Sequence, residues 1–347
     1  MDLTTLKEKH WEDLERILLS MASEETRPHR LKILHDIFKS TMRLAKESPG
    51  TLNLKIVSTV LKELRFSFKM FSTHRETLKI TMFGSARVPP GTPLYKFAKR
   101  FAQEAVARHY MIITGGGPGI MAAGNEGATH QSSYGLNIRL PAEQSANQFI
   151  DPKQKLINYK YFFTRKLFLV KEAAAFAFFP GGFGTFDEAF EVLTLLQTGK
   201  TTLIPVVLVE PKNFGFWTSV VKMLRKDVLG HGFISEKDFS LFKVFHEAGP
   251  AIDYIEKFYR GYHSMRHVND ELSVRLQRPL SADALGQINK KFKGLATNGG
   301  GFRLSGPLPE ESNEPELASL PRLVFPFERH DFGELRRLID FINDHAV

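Results

Sequence analysis

Residues 77–260 predict an α/β fold, a Rossmann-like doubly wound parallel sheet, with a helical region before it and a small α+β module after it. Three observations lead there. Short, continuously apolar runs alternate with amphipathic stretches of helical length. Glycine-rich turns follow three of those runs. The apolar spacing changes character near residue 77 and again near residue 260. The expected divisions are therefore 1–76, 77–260 and 261–347.

The first region carries apolar residues at helical spacing: Leu14, Ile17, Leu18 and Met21, then Leu31, Leu34, Ile37 and Phe38, then Val57, Val60, Leu61, Leu64 and Phe66. From Lys79 the runs "KITMF", "YMIITG", "YGLNIRL", "AAAFAFF" and "TLIPVVLVE" read as buried strands, separated by helices such as "LYKFAKRFAQEAVARH". Beyond residue 260 the order "LSVRLQ", "SADALGQINKKFKGL", "FRLSG", "RLVFPFE" and "DFGELRRLIDFIND" suggests a βαββα module. A Pro/Glu/Ser/Asn-rich loop, Pro307 to Pro321, interrupts it.

Composition limits the partners. The chain has 347 residues, no cysteine and a formal charge of +9, which favours anionic ligands such as phosphates. No apolar run of ~18 residues is present, and the N-terminal pattern is not that of a signal peptide, so the chain reads as soluble and cytoplasmic. No nucleic-acid-binding motif is found, and neither nucleic acid nor membrane is an expected partner. The twelve histidines show no H-E-x-x-H spacing; neither a metal nor a cofactor is expected.

The glycine-rich turns are "GSAR" (Gly84, Ser85), "GGGPGIM" (Gly115 to Met121, including Gly116 and Gly117) and "PGGFGT" (Gly181, Gly182, Gly184, Thr185). All three belong at the carboxyl edge of the sheet, where open α/β folds bind ligands, and the first and third should flank one crevice. Glycine lets backbone approach an anion, and a helix start adds free N–H groups. Familiar nucleotide motifs do not fit. "GSARVPPG" is not G-x-G-x-x-G, "TGKTT" has Thr194 where a P-loop needs glycine, and no pattern around Lys171 argues for a pyridoxal site.

"FGSAR", "GGGPGIM", "GLNIRLPAEQ", "YFFTRK" and "PGGFGTFDE" followed by "EVLTLLQTGK" resemble the LOG (Lonely Guy) family, often mislabelled as lysine decarboxylases, over roughly Lys79 to Leu241. The resemblance implies a Rossmann-like enzyme, usually a homodimer or larger homo-oligomer. It implies hydrolysis of the N-glycosidic bond of adenosine-type nucleoside 5′-monophosphates to free base and ribose 5-phosphate. In plants the base is a cytokinin; in bacteria AMP and other purine monophosphates are implied. The match makes Gly181, Gly182, Gly184 and Thr185 the phosphate-binding turn and Arg165 and Lys166 the family's Arg-Lys pair. Glu188 becomes the catalytic acid and Glu143 a second substrate-contacting carboxylate.

The chemistry of the residues agrees. Cleaving a ribosyl bond builds positive charge on the sugar, which a carboxylate stabilises while activating water, and a guanidinium stays ionised and offers forked donors. Plainer readings stand beside these. Thr185-x-x-Glu188 also has the spacing of a helix capping box. Arg165 and Lys166 also fit a solvated helix face, Glu143 an ordinary loop acid, and the aromatics Tyr159 to Phe163 either base stacking or core packing. "GIMAAGN" places Ala122 and Gly124 where relatives commonly carry an acid and an alanine. A non-catalytic carrier of a nucleotide or phosphorylated cofactor is the alternative function.

Overall fold

The computed structural model describes residues 13, 16, 28–139, 146–297 and 299–345. The first apolar set read from the sequence, Leu14, Ile17, Leu18 and Met21, lies outside the described residues. The chain forms two compact units, residues 1–64 and 65–347. In the first, helix α1 (Pro28–Glu47) stops at Ser48, whose backbone turns left-handed (φ 45°), and α2 (Gly50–Ser72) begins two residues later.

The second unit opens with the strands that the apolar runs predict. The strands are β1 (Lys79–Phe83), β2 (Met111–Thr114), β3 (Ser133–Ile138), β4 (Leu156–Tyr159), β5 (Ala175–Phe178), β6 (Val206–Val209) and β7 (Lys243–Phe245). They form one sheet in the order β4-β3-β2-β1-β5-β6-β7, and every pairing is parallel. Strands β1, β2, β5 and β6 are buried along their whole length because helices cover both faces. On one face Ile80, Met82, Ile112, Ala175, Ala177, Val207 and Val209 form a single core with α3 (Pro93–Ala107), α4 (Ile120–Ala128) and α8 (Ala248–Phe258). On the other, Thr81 donates to the carbonyl of Leu169 (2.8 Å) in α5 (Phe162–Lys171). There Phe168 packs against Phe68 and Phe71 of α2.

Local chemistry fixes the helix starts. Thr92 caps α3 through its hydroxyl, and Pro93 supplies the fixed φ of a first helical residue. Helix α6 (Phe183–Gln197) begins differently: Gly182 is its N-cap, and no side chain caps it. Helix α7 (Phe216–Met223) continues into a π-helical turn (Leu224–Leu229), and a 3₁₀ turn (Glu236–Leu241) leads to β7.

The terminal module has one strand more than the βαββα order predicts. β8 (Tyr262–Val268) and β9 (Glu271–Leu276) form a hairpin, followed by α9 (Ala282–Lys291), β10 (Arg303–Ser305), β11 (Arg322–Pro326) and α10 (Phe332–His345). Their sheet is antiparallel, in the order β10-β11-β9-β8.

The polar loop between β10 and β11 is anchored by charge. Glu311, almost fully buried, accepts from Arg275 Nε (2.8 Å) and Arg322 Nε (3.2 Å), and its other neighbour Leu308 donates its N–H (3.0 Å). Burial alone would raise the Glu311 carboxyl, but these donors hold it below the usual range. Removing one partner of such a cluster leaves buried charge uncompensated. Glu311→Ala should therefore cost about 3–5 kcal/mol, read as a lower urea midpoint; an unchanged midpoint would show that the cluster is not what anchors the loop.

Candidate functional site

The three glycine-rich turns meet at the carboxyl edge, and Ser85 joins them. Its N–H donates to the carbonyl of Pro180 (3.1 Å), and its carbonyl accepts from Ile120 N (3.0 Å) at the start of α4. A Cβ on Gly181 would lie 2.0 Å from Thr185 Oγ1 and 2.9 Å from Ser85 N, so glycine there serves the packing of turn on turn. Gly84 likewise leaves room for Ile120, and Gly117 for Met121. Gly116 has a left-handed backbone (φ 75°). Of the glycines in these three turns only Gly182 and Gly184 face open space. The sequence assigns all these glycines to backbone approach by an anion; at Gly84, Gly117 and Gly181 close packing alone already requires glycine.

The second turn is held by a polar network that the sequence reading did not single out. Asn147 Nδ2 donates to the carbonyls of Gly116 (3.1 Å) and Gly117 (3.0 Å) and to Asn125 Oδ1 (2.9 Å). The Thr114 hydroxyl donates to Asn125 Oδ1 (2.7 Å) and accepts from Gly116 N (3.0 Å). Asn125 and Thr114 are wholly buried. The only cue in the sequence was asparagine within otherwise small and apolar surroundings.

Arg165 and Lys166 lie one turn into α5, whose N-terminus follows β4 at the same edge. The Arg165 guanidinium reaches the second turn: a Cβ on Gly115 would stand 3.3 Å from its Nη2. Lys166 is no solvated-face residue. Its Nζ lies 2.8 Å from Asp187, 2.7 Å from Glu191 and 3.9 Å from Glu188 Oε2. Burial lowers its pKa, but the bonds to Asp187 and Glu191 outweigh burial and raise it overall. Asp187, next to Glu188 on α6, is one of its partners.

Glu188 is buried, with 8% of its side chain exposed. It is not part of a capping box, because Thr185 is the third residue of α6 and Gly182 occupies the cap. Burial raises the Glu188 carboxyl to about 7, against the pull of Lys166 and Arg165. Arg165 is lowered by burial, partly offset by Glu188. Arg165 Nε and Glu188 Oε2 are both buried and have no hydrogen-bond partner. Buried polar atoms are seldom left so; here a donor and an acceptor without partners stand beside an uncapped helix start.

Tyr159 belongs to the core and shares a 2.6 Å hydrogen bond with Ser67, whereas Phe162 and Phe163 are exposed. Glu143 lies outside the described residues. Among the described residues no helix is long and apolar enough to cross a membrane.

Comparison with known proteins gives the following. A family profile described as "Possible lysine decarboxylase" matches residues 100–255. The cytokinin riboside 5′-monophosphate phosphoribohydrolase LOG2 of Arabidopsis thaliana is 28% identical over 168 residues, which is 48% of this chain and 76% of that protein. Among solved structures, TM1055, a structural-genomics target, is 18% identical with a TM-score of 0.38, covering 52% of this chain and 99% of its own. The molybdenum cofactor binding protein of Rippkaea orientalis is 17% identical with a TM-score of 0.36, covering 52% and 94%.

Proposed function

The chain belongs to the LOG family, and on that premise we propose that it hydrolyses the N-glycosidic bond of purine nucleoside 5′-monophosphates of the adenosine type. The products are free base and ribose 5-phosphate. The observation that carries this reading is the unpartnered pair, Arg165 Nε and Glu188 Oε2, beside the uncapped start of α6. The 5′-phosphate sits against the open backbone of Gly182 and Gly184, where N–H groups and the helix dipole favour an anion. Glu188, one helical turn further, then lies beside the ribose.

In the reaction the bond from the anomeric carbon to the base nitrogen breaks, and its electron pair leaves with the base. Ionised Glu188 stabilises the positive charge that builds on the sugar and takes a proton from the attacking water, whose oxygen joins the anomeric carbon; that proton then passes to the departing base nitrogen, which leaves as neutral base and returns Glu188 to its ionised form. Arg165 orients the substrate and balances negative charge on the departing base or the phosphate. Lys166 keeps Asp187, Glu188 and Glu191 from repelling one another. Lys171, the nominal Schiff-base lysine, is half-exposed at the end of α5 and pairs with Glu172 (2.6 Å), an unsuitable setting for a buried imine. The proposal includes a homo-oligomer, supported by the exposed Phe162, Phe163, Leu167 and Phe183 around the site.

The test is release of base from a panel of nucleoside monophosphates, followed across pH. Because the ionised carboxylate is the active form and Glu188 titrates near 7, turnover should rise through pH ~7 and level off above it. A rate that falls over the same interval would make Glu188 an acid and reverse its assigned role. Saturable binding with no base released would favour a carrier.

A further inference from the structure

At the opposite, amino-terminal edge of the parallel sheet lies an open cavity of about 340 Å³, lined by His74, Thr77, His109, Tyr110, Gln131 and Ser132 among others. Two buried lysines stand directly behind this wall. Lys79, at the start of β1 and 3% exposed, donates to the carbonyls of His74 (2.6 Å) and Thr77 (2.8 Å). Lys155, just before β4 and 5% exposed, donates to the carbonyl of Gln131 (2.9 Å), lies 3.3 Å from His74 Nε2 and sits over the Tyr134 ring. Each ammonium is thus one hydrogen bond from the cavity.

Among the described residues neither lysine has a carboxylate within 4 Å. Glu172 and Glu76 act on Lys79, and Asp151 on Lys155, only at longer range. Glu172 is itself bound to Lys171, and Asp151 accepts the N–H groups of Lys153 and Gln154. His74, neutral or cationic by its chemistry, supplies no counter-charge; burial, then Lys155 and Lys79, lower its pKa. A buried ammonium bonded only to carbonyls, with no carboxylate at contact distance, is costly, and burial holds both lysines below the usual range.

A second feature of the wall is independent of charge. The turn that carries Gln131 and Ser132 starts at Thr129, whose backbone lies at φ 65° and ψ 172°, a region nearly closed to β-branched residues. His109, from the facing turn, is also left-handed (φ 64°). Backbone held in this way concentrates at sites that bind or switch.

We propose that this cavity is a second anion site, which takes a phosphoryl group between the turns carrying His109 and Ser132, with Lys79 and Lys155 supplying the balancing charge. The lining residues carry the hydroxyl, amide and imidazole donors that tetrahedral oxyanions use. The site does not depend on the chemistry proposed at the carboxyl edge.

Two measurements on the full chain test it: dialysis of labelled inorganic phosphate, and hydrogen exchange with potassium phosphate against potassium chloride of equal ionic strength. Phosphate should protect segments 108–111 and 128–133, and Lys155→Met should weaken that binding about tenfold, with Ser132→Ala weakening it a few-fold. Should Lys155→Met fail to fold, Ser132→Ala and the protection map decide. Protection confined to 84–87, 115–119 and 180–185, or binding unaltered by these variants, would overturn the proposal. Competition separates the sources: a nucleoside monophosphate that displaces phosphate from 128–133 points to a phosphorylated metabolite, and failure to displace it points to phosphate itself.

Discussion

Glu188→Gln should remain folded and lose turnover by roughly 10²-fold or more. The amide keeps the size of the carboxyl and can still accept from Lys166, but it cannot stabilise charge on the sugar or take a proton from water. The same variant should be more stable than the parent at pH 8. A carboxyl whose pKa is raised from 4.5 to about 7 holds its proton more tightly folded than unfolded. Its contribution is therefore complete below pH ~4.5 and is lost as pH rises through 7, a difference of roughly 3 kcal/mol. That shift already includes the attraction of Lys166 and Arg165, so a net increase of about 3 kcal/mol is expected at pH 8 and none at pH 4. Turnover within threefold of the parent in a well-folded Glu188→Gln protein would return this residue to a structural role.

Cleavage of AMP should exceed cleavage of adenosine by about 10³-fold in kcat/KM, corresponding to roughly 4 kcal/mol of binding energy from the 5′-phosphate. On the proposed reading that energy comes from the bare backbone at Gly182 and Gly184 and the uncapped start of α6, far from the bond that breaks. A phosphate anchored there fixes the ribose against Glu188, so its loss should reduce kcat as well as raise KM. Gly184→Val should reproduce part of the effect on AMP and little on adenosine, because its side chain would fill the space left for the anion. Equal rates for the two substrates would remove the phosphate assignment.

The parts of the fold legible in the sequence were those whose burial leaves a continuous apolar run. "KITMF" and "AAAFAFF" are neighbours in the sheet as expected, with Ile80 opposite Ala175, and so "GSAR" and "PGGFGT" do meet. β4 and β7 were missed because four and three residues make no period, and Asn158 and Lys243 break the apolar run. β8 was missed for a related reason: His263, Arg266 and His267 are only half-buried on that edge strand, so its sequence reads as polar.

At the site, motif order named Arg165, Lys166, Glu188 and the glycines, but spacing alone did not separate a catalytic Glu188 from a capping one. The capping role is excluded by where α6 begins, with Gly182 rather than Thr185 at the cap position. The Thr114, Asn125 and Asn147 network was invisible because its partners are far apart in sequence and two of its acceptors are backbone carbonyls.

The central claim, that this site adds water across the bond between ribose and base, is tested most directly in ¹⁸O-labelled water. With AMP as substrate the account predicts adenine and ribose 5-phosphate in equal amounts, with one ¹⁸O at the anomeric carbon of the sugar and none in the phosphate. Adenosine with labelled inorganic phosphate would show that the phosphate ester, rather than the glycosidic bond, is cut. AMP recovered intact under conditions that saturate the site would show a binding protein instead.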